Sequence, residues 1–131
     1  MKLRTLEQNG VTILEVYGDL QFSNWHELVN KASLLINQGK DQLIIDWDNV
    51  GYVDSSALGA LVAVDRLFKK TDSGRAVIYT SNPEHLFILQ QAHFHSFIEI
   101  YQDLQKASES FSRGLNEESE NAEKKSRIEI S

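Results

Sequence analysis

The sequence predicts a single α/β domain, with a mixed sheet of four or five strands and helices packed chiefly on one face. Three observations carry that prediction. A hairpin signal, Asn9-Gly10, separates two strand-like runs at the start of the chain. Segments of helical apolar period then alternate with short runs rich in β-branched residues, up to about Tyr101. A sheet with crossover helices requires that alternation. Of the 131 residues, 41% are apolar and 24% charged, which is ordinary for a globular chain and enough for one modest core.

The elements follow in order. Lys2 to Glu7 and Val11 to Tyr17 read as the two hairpin strands, with Gly18 ending the second. Phe22, Trp25, Leu28, Val29, Ala32, Leu35 and Ile36 then fall at helical spacing and form one apolar stripe, so Phe22 and Trp25 read as core residues. Asn24 with Glu27 matches a capping box at the start of this helix, and Gly39 matches its stop. Gln42 to Trp47 holds three consecutive branched residues and reads as a strand buried on both faces. Asp48-Asn49-Val50-Gly51 reads as loop. A second helix opens at Asp54-Ser55-Ser56 and reaches about Lys70; its first half is apolar all round and must pack on more than one side. Arg75 to Thr80 is the next strand, and Asn82-Pro83 caps and starts a short helix reaching about Gln91. Ser96 to Tyr101 reads as the last strand, and Gln102 to Phe111 as a terminal helix. The domain is placed at residues 1–105. Residues 106–131 are rich in Ser, Glu and Lys and read as a weakly ordered or helical extension.

Charge and composition exclude several classes of function. Lysine plus arginine is 13 and aspartate plus glutamate 19, a net charge of −6. That acidity argues against a nucleic-acid partner, whose phosphates need cations, and against a basic membrane patch. With no cysteine, thiolate zinc sites, disulfides and cysteine nucleophiles are ruled out. The longest apolar run, Ala57 to Val64, is far short of the roughly 20 residues that cross a bilayer. The residues after Met1 do not form the apolar stretch of a signal peptide. The expectation is a cytoplasmic protein with no membrane insertion.

The segment Tyr52-Val53-Asp54-Ser55-Ser56-Ala57-Leu58-Gly59 is the most unusual. Three polar residues meet an apolar helix where its first N–H groups lack partners. One reading is a helix cap, worth about 1 kcal/mol. The other is a site for an anion or an attached phosphate, favoured by the positive end of the helix dipole. The two are compatible, because an exposed serine there can serve both.

The stretch Asp54-Ser55-Ser56-Ala57-Leu58-Gly59 resembles the signature of the STAS domain, as found in bacterial anti-sigma factor antagonists. The resemblance extends to Gly18-Asp19-Leu20, to Leu43-Ile44-Ile45-Asp46 followed by Val53-Asp54-Ser55, to Asp72-Ser73-Gly74 and to Asn82-Pro83, over about residues 8–105. It implies a phosphorylation switch with Ser55 as phosphoacceptor and Ser56 as the fallback. The implied partners are a GHKL-type serine kinase, often itself an anti-sigma factor, and a metal-dependent serine phosphatase. The unmodified form would bind the kinase and release a sigma factor. Asp54 would orient the loop and assist recognition by the kinase, with Asp19, Ser56 and Ala57 near the docking surface. Ala57 stands where many members have glycine, and its methyl could hinder a closely approaching backbone. Gln21 replaces an acidic residue common in the family. STAS-like domains also serve as constitutive scaffolds or transporter accessory subunits, the alternative function.

Other signals are weaker. Trp47, between Asp46 and Asp48, is either core packing or a half-exposed interface anchor. His93-Phe94-His95 reads as surface or loop rather than a metal site, since no cysteine can complete it. There is no glycine-rich phosphate loop, and no glycine elbow or patterned histidine activates Ser55 as a nucleophile. No enzymatic activity and no cofactor are expected.

Overall fold

Strand β2 (Val11–Leu20) is the longest in the sheet, and the other strands are laid out from it. The computed structural model describes residues 1–112. β1 (Lys2–Gln8) pairs antiparallel with β2 through a two-residue turn in which Asn9 (φ 53°) and Gly10 (φ 81°) are both left-handed. Such a turn matches the twist of its strands, which is why Asn-Gly is favoured there. On the other side of β2 lies β3 (Gln42–Asp46), parallel to it, then β5 (Arg75–Tyr79) and the two-residue β6 (Ile100–Tyr101), also parallel. Helices α1 (Trp25–Asn37), α2 (Ser55–Lys69) and α3 (Pro83–Gln91) lie in the connections.

Side-chain alternation divides the core in two. Leu14 and Val16 of β2, Leu43 and Ile45 of β3, and Ala76 and Ile78 of β5 face one way, against Leu28, Ala32 and Leu35 of α1 and Ala57, Leu61, Val64 and Phe68 of α2. Val11, Ile13, Ile44 and Val77 face the opposite way, against Ala107 and Phe111 of a final helix, α4, spanning 104–112. The first half of α2 touches both sheet and α1, which explains why it is apolar all round.

Several expectations are corrected. The sheet has six strands, because Val50–Val53, read as loop and helix approach, is a short strand, β4. It pairs parallel with the far end of β2 at Gly18–Val50 and Leu20–Val53, with a register shift between. Gly18 therefore does not end β2; it adopts φ 91° at the irregularity and β2 continues to Leu20. Phe22 precedes α1 rather than lying on its stripe, and it is exposed. The capping box is absent: the Asn24 side chain makes no cap bond and instead accepts from Gln21 N–H and donates to the Asp19 carbonyl. The last strand is shorter than expected, since Phe94–Ser96 forms a 3-10 turn before it. α4 occupies the sheet face opposite the other three helices. Residues 106–112 of the charged extension take the helical of its two readings, with Ala107 and Phe111 buried, while 113–131 lie outside the described residues.

Arg75 lies 4.5 Å over the Phe111 ring and hydrogen-bonds Ser110 and Glu99. Phe111 and Ala107 seat α4 against the sheet, with Leu104 beside them. Phe111→Ala should lower stability by about 3 kcal/mol in urea melts; a loss below about 0.5 kcal/mol would mean α4 adds nothing to the fold.

Candidate functional site

The C-terminal ends of β2 and β4 bring two acidic loops together beside the start of α2. Asp54 is the N-cap of α2, and its Oδ1 accepts from Ser56 N–H at 2.8 Å and Ala57 N–H at 3.3 Å. Its Oδ2 accepts from Phe22 N–H at 3.1 Å. One carboxylate thus satisfies two free helix donors and one donor of the loop between β2 and α1. Asp19 does the converse: its Oδ1 accepts from Tyr52 N–H in β4 at 2.8 Å. Each loop supplies an acid that holds the backbone of the other. Gly51 makes room for this, since a Cβ there would lie 2.5 Å from Asp19 Oδ1.

Ser55 is the first residue of α2 and is exposed. Among the described residues its hydroxyl makes no hydrogen bond, whereas Ser56 is half-buried behind it. Gly59, one turn along, is exposed with open space where a Cβ would sit. Ser55 lies at the positive end of the α2 dipole, where the Ser56 and Ala57 N–H groups are already taken by Asp54.

Of the residues singled out from the sequence, Asp19, Asp54, Ser55 and Ser56 come together here. Two do not reach the surface. Trp47 is 1% exposed and belongs to the core, so of its two readings core packing holds and the interface anchor is corrected: it directly follows β3, with its backbone N–H donating to the Tyr79 carbonyl. The Ala57 side chain is also buried, so its methyl packs inward and cannot hinder a partner's backbone. Gln21 is half-buried, with its carbonyl accepting from Trp25 N–H. The sequence reading missed Phe22 and Tyr52, which are 77% and 62% exposed. The available signal was position: each lies within three residues of an acid in the motif loops.

His85 backs the site from α3. It is buried, with Nε2 3.2 Å from the Gly51 carbonyl and Nδ1 without a partner among the described residues. The other two histidines of interest, His93 and His95, lie near the 3-10 turn with ring centroids 6.1 Å apart. Among the described residues no group of three acidic or histidine side chains could hold a metal ion.

The turn joining β3 to β4 is fixed by two aspartates with opposite behaviour. Burial pushes the Asp46 carboxyl up, with nearby Asp48 and Glu15 adding to the effect despite a hydrogen bond from Asp48 N–H. Burial also acts on Asp48, but donors from Ser81 N–H, the Ser81 hydroxyl, the Tyr79 hydroxyl and the Thr80 hydroxyl outweigh it and hold its carboxyl below the usual range. Asp48 thereby ties the turn before β4 to the end of β5 and the segment leading into α3.

Comparison with known proteins places this architecture. The STAS domain family model matches residues 2–107, and the chain belongs to that family. A putative anti-sigma factor antagonist from Thermotoga maritima aligns with a TM-score of 0.77 at 19% identity, covering 84% of this chain and 94% of that one. The unphosphorylated form of the anti-sigma factor antagonist SpoIIAA aligns at 0.65 and 16% identity, covering 86% and 99%. The phosphorylated form of SpoIIAA, a Bacillus cell fate determinant, aligns at 0.62 and 15%, covering 83% and 99%. At these identities the likeness establishes the fold. Among the described residues no helix is long and apolar enough to cross a membrane.

Two outcomes follow from this geometry. Asp54→Ala should cost about 1–2 kcal/mol of stability and speed amide exchange at both Ser56 and Phe22, read by hydrogen exchange; protection unchanged at Phe22 would refute the shared role of the carboxylate. Asp46 binds its proton more tightly folded than unfolded, so its ionisation weakens the fold as pH rises through the carboxylate range. Asp46→Asn keeps the acceptor for Asp48 N–H, and should melt higher than the parent at pH 7 with the advantage vanishing below about pH 3.

Proposed function

We propose that this STAS protein is a phosphorylation-switched protein-binding regulator, with Ser55 as the phosphoacceptor. The observation that carries the reading is the exposed, unbonded Ser55 hydroxyl at the first position of α2, directly after the Asp54 cap. Ser56 is the fallback acceptor, but it is half-buried. The family resemblance supplies the partners: a GHKL-type serine kinase of the anti-sigma type that binds the unmodified form, and a metal-dependent serine phosphatase that restores it. The chain itself performs no catalytic step in this scheme. That SpoIIAA has a phosphorylated and an unphosphorylated form supports the reading.

The switch works through local electrostatics. A phosphate adds about −1.5 to −2 charges near neutral pH. On Ser55 it sits beside Asp54 and on the same surface as Asp19, in a chain of net charge −6. The helix dipole offsets part of that charge, so the domain stays folded. A partner that must desolvate the surface faces an imperfectly paired charge costing about 3–5 kcal/mol, or two to three orders of magnitude in affinity.

Intact mass of the protein from its own cells, with peptide mapping over residues 52–66, tests this directly. One phosphate should appear on Ser55 and be lost in Ser55→Ala. Absence of phosphate under every growth condition, with Ser55→Ala behaving as the parent, would reduce Asp54-Ser55-Ser56 to a helix cap.

A further inference from the structure

We propose that the peptide unit between Gly51 and Tyr52 in β4 is gripped at both ends by side chains, Asp19 at one and His85 at the other. His85 is then a positioning residue: with its proton on Nε2, it couples α3 to the loop after β2. This grip exists whether or not Ser55 is modified, so it stands apart from the phosphorylation reading.

The need for it arises in the strand register. β2 pairs with β4 at Gly18–Val50 and again at Leu20–Val53. Between these points β2 advances from 18 to 20 and β4 from 50 to 53, so Gly51 and Tyr52 together stand opposite Asp19. An extra residue of this kind leaves backbone groups outside the ladder. Side chains replace the missing partners. Tyr52 N–H donates to Asp19 Oδ1 at 2.8 Å, and the Gly51 carbonyl lies 3.2 Å from His85 Nε2. That N–H and that C=O belong to one planar trans peptide and point in opposite directions, so fixing both fixes the plane.

The chemistry also assigns the proton. A carbonyl oxygen only accepts, so Nε2 must donate to Gly51. Nδ1 is buried without a partner among the described residues, and a second proton there would be a buried donor with nothing to receive it. The ring therefore carries its proton on Nε2 and leaves Nδ1 bare. His85 is 5% exposed and shares the buried face of α3 with Leu89, one turn on. An apolar side chain would fill that place without offering β4 a donor. Two ties thus hold α3 to this corner: Asp48, through Ser81, ahead of the helix, and His85 within it.

The two ends of the peptide are not independent. The Asp19 carboxylate polarises the peptide through Tyr52 N–H, which makes the Gly51 oxygen a better acceptor for His85. Such coupling is reciprocal: a change at Asp19 reaches α3, and a change at His85 reaches the β2–α1 loop.

The test is NMR of the isotope-labelled full-length protein at about pH 8, above the ordinary histidine range near about 6.5. The His85 ring should show a directly bonded proton on Nε2 and none on Nδ1. Asp19→Asn keeps an acceptor for Tyr52 N–H and removes the charge; in it the Nε2 proton should move upfield, the sign of a weakened hydrogen bond. His85→Leu should speed amide exchange at Tyr52 about three- to tenfold, with the Ile45 amide in the middle of the sheet unchanged. His85→Gln, whose side-chain amide can donate from the same place, should restore most of the lost protection. A proton on Nδ1 in the parent would overturn the proposal even if neither histidine variant folds. So would an Nε2 proton indifferent to Asp19→Asn, or unchanged exchange at Tyr52 in His85→Leu. Equal losses in the leucine and glutamine variants would also overturn it, by showing that the ring only fills space.

Discussion

The Asp54 carboxylate is the contact on which the candidate site depends. Three backbone N–H groups from two separate segments end on its two oxygens: Ser56 and Ala57 of α2 on one, Phe22 of the preceding loop on the other. A helix cap alone would fix the start of α2 and nothing else. Here the cap also sets where the β2–α1 loop passes, and so the surroundings of Ser55. Hydrogen bonds to an ionised acceptor are stronger than neutral ones, so a single side chain holds both elements.

The sheet supplies the frame for this contact. β2 is long enough to pair with β3 along one stretch and β4 along the next, on the same side. The turn between those strands is held by Asp48, whose donors come from the end of β5 and the segment leading into α3. β4 is therefore positioned from both ends, by Asp48 before it and by Asp54 after it. Asp46, one step inside, carries the cost of burying an acid, to which nearby Asp48 and Glu15 add. A carboxylate pushed up by burial beside one held down by hydrogen bonds shows that local donors, not depth alone, decide how an acid behaves in this corner.

Much of this was legible in the sequence. The hairpin, the alternation of helices and strands, and the helix opening at Asp54-Ser55-Ser56 follow from period, turn chemistry and capping preference. What escaped depends on contacts distant in sequence. β4 is four residues long and contains a glycine, so no local pattern marks it as a strand; only the end of β2 makes it one. Asn24 looked like a cap because its spacing from Glu27 fits, but the Asp19 carbonyl and Gln21 N–H lie close enough to take its side chain instead. Phe22 fell on a helical stripe by arithmetic, while Asp54 holds its backbone in a turn ahead of the helix. Trp47 was ambiguous between surface and interior because flanking aspartates describe its neighbours and not the side to which the strand turns it. α4 was marked by Phe111, yet which sheet face it covers is a matter of alternation on three strands at once.

The reciprocal braces also bear on when the surface comes into existence. Asp19 reaches Tyr52 across 33 residues and Asp54 reaches Phe22 across 32. Neither bond can form until β2 and β4 lie side by side, and β4 reaches its place only after α1 and β3 have been threaded between them. Ser55 as an amino acid is present from the moment it is synthesised, but the setting around it exists only once these long-range contacts are made. Anything that reads the serine in that setting reads a chain in which β2 and β4 have already paired, so the site doubles as a mark of that pairing: a copy without it offers the residue without the address.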